Sequence, residues 1–185
     1  MKELFIASNQ GIIDFYFVDE AGFNLTPNIS YAWQPIGVEW GIKSVKKKVE
    51  NVLGFLNPLT NHLVTYNLPE KAYMDSKLFI EYMNDFATKI TKETVVTVDR
   101  ATWHTSALTL SMIETWESQG LFVLYLPAYC PHLNLIETLW RKIKYEWFKM
   151  NDYRSEKTLR KKLKTIFQQY GKEYNIKFSM NIFKD

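Results

Sequence analysis

The chain contains a single cysteine, Cys130, so no disulfide can form within it. One lone thiol fits a reducing compartment, and we expect the protein in the cytoplasm. No window of about 18 residues is both apolar and uncharged, which predicts no transmembrane helix and no membrane partner. The apolar run near Met1 is too short for a signal peptide. The three histidines and the cysteine are not spaced as zinc ligands, which excludes a structural zinc site.

Internal repeats, low-complexity tracts and linkers are also absent from the sequence. What is present is typical of a globular protein, since 46% of the residues are hydrophobic and 16% are aromatic. A length of 185 residues is enough for one domain with a substantial core. We therefore interpret residues 1–185 as a single domain.

Positive charge is unevenly distributed, although the net charge of +3 is mild. Residues 141–164 contain ten Lys or Arg and only three Asp or Glu. A second basic cluster consists of Lys43 and residues 46–48. Such stripes are typical of a surface that binds a phosphate backbone, but a solvated helix face has the same pattern. Charge alone leaves both interpretations open.

Hydrophobic periodicity predicts an α/β protein. The predicted strands are residues 14–19, 30–33, 47–55, 62–66, 94–98 and 121–125, with a loop at 20–24. The predicted helices are residues 75–92, 105–119, 131–149 and 156–170. The early strands follow one another as hairpins, whereas the later strands alternate with helices. This order indicates a mixed sheet, antiparallel at one side and parallel where helices cross over.

Three carboxylates stand at positions that suit metal chemistry. Asp19 and Asp99 each end an apolar strand, and Glu137 begins a helix after a strand and a proline-rich turn. If the two strands are parallel neighbours, their ends line a common crevice of the kind that binds ligands. Carboxylate oxygens suit Mg²⁺, and two such ions about 4 Å apart are the machinery of many phosphodiester enzymes.

Each carboxylate also has a structural interpretation. An Asp that closes a strand is often only a turn residue. Glu137 follows Asn134 by three residues, which resembles a capping box. Glu20, beside Asp19, is an alternative metal ligand. The alternation of side chains along a strand would place it on the opposite face of the sheet if the strand continues that far. Residue patterns alone do not decide between these alternatives.

Three segments resemble the catalytic motifs of mariner-like bacterial insertion-sequence transposases, members of the DDE superfamily of endonucleases. The first is residues 17–23, FVDEAGF, followed by residues 31–37, YAWQPIG. The second is residues 96–104, VTVDRATWH. The third and most specific is residues 126–137, LPAYCPHLNLIE, followed by Leu139 and Trp140. The resemblance covers about residues 14–149.

The resemblance implies a ribonuclease-H-like mixed five-stranded sheet flanked by helices. It also implies that Asp19, Asp99 and Glu137 are the catalytic triad and hold two Mg²⁺ or Mn²⁺ ions. The implied activity is cleavage and transfer of DNA strands, with transposon ends and target DNA as partners. A homodimer is an expectation from the resemblance alone, as is association with the nucleoid.

Several departures accompany this resemblance. Arg100 stands where the family commonly has Asn, and Leu135 stands where a proline is usual. Thirty-seven residues separate Asp99 from Glu137, slightly more than the family spacing. The helix-turn-helix recognition modules of such transposases are expected to be missing, so the chain is an excised domain, a split-frame product or a remnant. Two alternatives follow: an inactive remnant that binds nucleic acid, and a nuclease acting on RNA–DNA hybrids or branched DNA.

The expected DNA contacts lie close to the three motifs. They are Arg100, His104, Arg141, Lys142 and Lys144, with residues 160–164 as a second group. A histidine such as His104 more often makes a structural hydrogen bond. Tyr31 and Trp33 could stack on bases at a cut end, but core packing is the commoner use of such residues.

Overall fold

The structure is a computed structural model that describes residues 1–28, 35–37, 47–70, 72–128 and 130–178. The strand expected at residues 30–33 lies outside the described residues, together with Tyr31, Trp33, Lys43 and Lys46.

A mixed five-stranded sheet organises the described residues. Its strands are β1 (Asp14–Asn24), β2 (Lys48–Asn57), β3 (His62–Asn67), β4 (Thr94–Val98) and β5 (Leu121–Tyr125). The spatial order is β3-β2-β1-β4-β5. The pairs β1–β2 and β2–β3 are antiparallel, whereas β1–β4 and β4–β5 are parallel. The mixed sheet expected from the order of strands and helices is therefore confirmed.

Strand β1 is longer than the sequence predicted. The expected loop at residues 20–24 is wrong, because these residues continue the antiparallel ladder with β2, from Glu20 opposite Leu53 onward. Ala21 and Phe23 are buried on one face, so period-two alternation carries on past Asp19. Pairing with β2 outweighs the weak strand preference of this polar, glycine-containing segment.

Helices cover both faces of the sheet. They are α1 (Lys2–Asn9), α2 (Ser76–Ala87), α3 (Ala107–Leu110), α4 (Ile113–Ser118), α5 (Ile136–Lys142) and α6 (Glu156–Gln169). The sequence missed α1, and it predicted one helix where α3 and α4 form two short ones. A π turn at Ile143–Trp147 continues α5, and 3-10 turns lie at Pro131–Leu133 and Met150–Arg154. In the described ranges no helix is long and apolar enough to cross a membrane.

The core has two halves, one on each face of the sheet. Phe15 and Phe17 of β1 face one half, which holds residues of α1, α5 and α6. Tyr16 and Val18 face the other half, which holds residues of α2 and α4. The alternating side chains of β1 thus contribute to both halves, which fixes the register of this central strand.

Gly54 of β2 lets helix α5 approach the sheet closely. It pairs with Asp19 of β1, and a Cβ atom there would lie 2.6 Å from two ring carbons of Trp140. The same Cβ would lie 2.9 Å from Cδ1 of Ile136. The missing side chain therefore sets the depth at which α5, the helix that carries Glu137, rests on the sheet.

Gly54→Ala is expected to lower the free energy of unfolding by about 1–3 kcal/mol, because the added methyl group overpacks this contact. Denaturant titration measures the effect. Trp140→Phe removes the two clashing ring carbons, so the double variant should lose less than the sum of the single losses. Full stability in Gly54→Ala, or additive losses, would contradict the close-approach explanation.

Candidate active site

Asp19 and Asp99 lie level with each other at one edge of the parallel part of the sheet. The ladder between β1 and β4 ends at the pair of Phe17 and Thr97. Each aspartate comes two residues after its member of that pair. Asp19 lies inside β1 and not at its end, where it was predicted. It still lies beside Asp99, because the pairing of β1 with β4 ends two residues before each aspartate.

Glu137 lies in the first turn of α5 and completes the group of carboxylates. Two adjoining clefts share Glu137 and Asn134 in their walls. One cleft is also lined by Asp99 and Arg100, and the other by Asp19. No side chain caps the start of α5, so the capping-box interpretation of Glu137 does not hold. The structure thus brings three carboxylates from distant segments to one depression.

The carboxylates raise one another's pKa. Burial raises the pKa of Asp19 to about 8, and the charges of Glu20, Glu137 and Asp99 add to the effect. Burial and the charge of Asp99 also raise the pKa of Glu137. Such crowding of negative charge is costly for the metal-free protein and favours a cation in the depression.

Asp99 differs, because a buried histidine stabilises its charge. His104 Nδ1 lies 2.8 Å from Asp99 Oδ1, which also accepts a hydrogen bond from the Ala101 amide at 2.9 Å. The hydrogen bond from His104 holds the pKa of Asp99 below its usual range. Among the described residues no donor binds Asp99 Oδ2, which leaves this oxygen available to a cation.

The His104 imidazole lies between two carboxylates. It is 1% exposed, and its Nε2 lies 3.6 Å from Glu20 Oε1. Burial lowers the pKa of His104, but the hydrogen bond to Asp99 and the charges of Asp99 and Glu20 outweigh it and raise the pKa to about 9. The expected phosphate contact by His104 would require this buried ring to leave its position. Its observed contacts instead orient Asp99.

Arg100 is held against β5. Its Nε donates to the Leu126 carbonyl at 3.2 Å, and its guanidinium carbon lies 5.9 Å from the centre of the Tyr125 ring. Within the described part of the chain no ion pair joins Arg100 to Asp99. The unusual arginine therefore adds positive charge to the cleft wall without neutralising the carboxylates.

The basic residues expected to contact DNA are placed differently. Arg141 and Lys144 line the cleft of Asp19. Lys144 lies in the π turn, and burial lowers its pKa although the charge of Asp19 acts in the opposite direction. Lys142 forms an ion pair with Glu146 at 2.5 Å instead. Arg141 and Lys144 are thus the better placed to meet a phosphate.

Two residues of this depression were not predicted as site residues from the sequence. Tyr145 is 56% exposed and lines the cleft beside Lys144, because the π turn shifts the helical phase there. Asn134 is buried in the shared wall, and its place in the third motif was the signal that could have found it. The expected alternation at Glu20 is consistent with its hydrogen bond from Trp103 Nε1 at 3.1 Å, but Glu20 also lines the cleft of Asp19.

The donor set suits a hard divalent cation, since three carboxylates face one depression. In the present arrangement, however, no three His, Cys, Asp or Glu side chains of the described residues are close enough together to hold an ion. A cation there would offset the burial and repulsion that raise the pKa of Asp19.

Known structures share this fold. The Mos1 transposase paired-end complex with left transposon end matches with a TM-score of 0.59 at 14% identity, over 90% of this chain and 52% of that chain. The Mos1 mariner paired-end complex with Mn matches with a TM-score of 0.56 at 15% identity, over 90% and 52%. The Mos1 transposase catalytic domain with Raltegravir and Mg matches with a TM-score of 0.54 at 14% identity, over 98% and 83%.

These matches define the class as ribonuclease-H-like, as the motifs implied. The chain spans about half the length of the Mos1 chains in the paired-end complexes. No curated protein sequence matches it significantly. The sequence model of the DDE superfamily endonucleases matches residues 14–160, most of the chain. The chain belongs to the DDE superfamily of endonucleases, which confirms the resemblance of the motifs. The bacterial origin stays a prediction.

Proposed function

We propose that this chain is a transposase catalytic domain that cleaves DNA strands and transfers their ends, using two Mg²⁺ or Mn²⁺ ions. The observation that carries the proposal is the convergence of Asp19, Asp99 and Glu137 on two adjoining clefts. Membership of the DDE superfamily supports the reaction class. Related Mos1 structures that contain Mg or Mn support the choice of ions.

The residues of the depression have distinct tasks in this proposal. Divalent ions held by the three carboxylates would activate a water or a 3′-hydroxyl and stabilise the leaving oxygen. Arg141 and Lys144 would hold the phosphate, since both line the cleft of Asp19. His104 would keep Asp99 ionised and oriented through its hydrogen bond to Oδ1.

The proposed partners are transposon-end and target DNA. Mos1 forms a paired-end complex with transposon ends, which supports a homodimer on paired ends here as well. Cytoplasmic, nucleoid-associated localisation belongs to the same proposal. The alternatives are a remnant that binds nucleic acid without cutting it, and a nuclease that acts on RNA–DNA hybrids or branched DNA.

The test compares substrates with one enzyme preparation. In Mn²⁺ the chain should nick supercoiled DNA and join a 3′-hydroxyl oligonucleotide to it, and EDTA should stop both reactions. Cleavage confined to RNA–DNA hybrid or branched substrates would favour the nuclease alternative. Binding without cleavage of any substrate would favour the inactive remnant and contradict the proposal.

Tyr145 is expected to stack on a base of bound DNA, because its exposed ring stands beside Arg141 and Lys144. Tyr145→Ala should weaken binding of a short single-stranded oligonucleotide by about five- to tenfold, as the loss of one stacked base predicts. Fluorescence anisotropy in Mg²⁺ measures the affinity. Tyr145→Phe keeps the ring and should bind normally, and so should Leu108→Ala, which removes another exposed apolar side chain. Equal affinity of the Ala and Phe variants would show that the ring does not stack.

A further inference from the structure

Asn134 joins two distant parts of the chain through its side-chain amide. Its Nδ2 donates to the Val18 carbonyl at 3.0 Å, across 116 residues of sequence. A carbonyl can only accept, so the atom facing Val18 is the nitrogen, and this fixes the orientation of the amide. The side chain is almost completely buried.

Both ends of this bond lie next to a carboxylate of the candidate site. Val18 directly precedes Asp19 and lies one residue beyond the last pair of the β1–β4 ladder. On the other side, the Asn134 carbonyl accepts a hydrogen bond from the Glu137 amide at 3.1 Å. One residue therefore connects the first turn of α5 to the part of β1 that carries Asp19.

The side-chain oxygen of Asn134, Oδ1, is buried, and among the described residues it has no hydrogen-bond partner. A buried acceptor without a partner costs free energy, which offsets part of what the hydrogen bond to the Val18 carbonyl contributes. Asn134 also lies in the wall shared by the two clefts. A role of the Asn134 amide in the carboxylate site therefore explains this side chain better than core packing does.

We propose that Asn134 is a positioning residue of the carboxylate site. Its amide holds the start of α5 against β1, so that Asp19 and Glu137 present their carboxylates to the same divalent cation. This inference rests on the proposed function, because it requires that a cation binds between these carboxylates.

The test measures Mn²⁺ affinity of the full chain, with free Mn²⁺ read by electron paramagnetic resonance. Asn134→Leu keeps the branched shape of the side chain, makes it somewhat bulkier and removes its donor. It should weaken Mn²⁺ binding by about tenfold or more, as the loss of an orienting partner predicts. Its Tm in EDTA should fall by only about a few degrees, because the variant removes the unsatisfied Oδ1 but takes from the Val18 carbonyl the hydrogen bond of Nδ2.

Asn51 provides the matched control. Its Nδ2 also donates to a backbone carbonyl, that of Ala72, at 3.2 Å, but it lies on β2 outside the two clefts. Asn51→Leu should bind Mn²⁺ like the wild type. Asn134→Ala gives the same comparison if the leucine variant does not fold.

The outcomes separate the inference from the proposed function. Wild-type affinity in the Asn134 variants, or an equal loss in Asn51→Leu, would overturn the positioning role alone, provided that Asp19→Asn abolishes binding. If the wild type binds Mn²⁺ no better than Asp19→Asn, the metal site and the positioning role are overturned together.

Discussion

Metal-dependent DNA cleavage is expected to fall by at least about 1000-fold when Asp19 or Asp99 is changed to Asn. Each substitution preserves the size of the side chain but removes the charge that holds a divalent cation. The two aspartates come from neighbouring parallel strands and face adjoining clefts, so neither can replace the other. The measurement is the rate of nicking of supercoiled DNA in Mn²⁺, with thermal unfolding to show that the variants fold.

Glu20 offers the most demanding comparison, because it is next to Asp19 and lines the same cleft, although alternation along β1 directs its side chain to the opposite face. Its Oε1 accepts a hydrogen bond from Trp103, an interaction that a glutamine can retain. Glu20→Gln should therefore change the cleavage rate by less than about tenfold. Near-normal cleavage by Asp19→Asn or Asp99→Asn would show that the assignment is wrong. An equally deep loss in Glu20→Gln would instead make Glu20 a ligand.

The sequence could predict the frame of the site because strands have strong local signatures. The β-branched run at residues 94–98 became β4 with the predicted bounds. A helix precedes it, which indicated a parallel crossover beside β1. The end of β1 was predicted wrongly, since partners on β2 prolong that strand beyond Asp19. The predicted position of Asp19 beside Asp99 still holds, because the two aspartates align at the end of the β1–β4 ladder and not at the end of β1.

The remaining features depend on contacts between segments, which no local pattern reveals. His104 looked like an isolated histidine, but the turn after β4 places it between Asp99 and Glu20. Lys144 and Tyr145 lie in a π turn, which a period of 3.6 residues does not predict. The helix expected at residues 105–119 is divided, with Ser106 capping the first short helix through the Thr109 amide. Such details follow from the tertiary structure.

In EDTA the free energy of unfolding is expected to fall as the pH rises from about 4 to about 8. Asp19 has a pKa of about 8 in the folded chain, against 3.8 for an ordinary aspartate. The folded state therefore keeps a proton that the unfolded state releases, so its advantage is complete below pH 4 and is lost as the pH approaches 8. The full shift corresponds to about 6 kcal/mol, which solvent screening in the open depression reduces to about 2–3 kcal/mol.

The Asp19→Asn variant has no ionisable group at position 19, so its free energy of unfolding should depend much less steeply on pH. At pH 8 it should exceed the wild type by about 2–3 kcal/mol, or roughly 5–10 °C in Tm. Some slope should persist, because Glu137 has a raised pKa and His104 has a pKa of about 9. Both groups bind more protons in the folded state, and they act in the same direction as Asp19.

Asp85→Asn is the control for loss of a charge elsewhere. Hydrogen bonds from Lys89 and Tyr66 lower the pKa of Asp85, so it is ionised throughout this pH range and its loss should leave the wild-type slope unchanged. Parallel curves for the wild type and Asp19→Asn would contradict the prediction. Saturating Mn²⁺ at pH 8 should reverse the order of the two proteins, because a cation that binds only the folded wild type stabilises it. Together these two results would show that the Asp19 carboxylate destabilises the metal-free protein and stabilises the metal-bound one. Its contribution would then be to cation binding and not to folding.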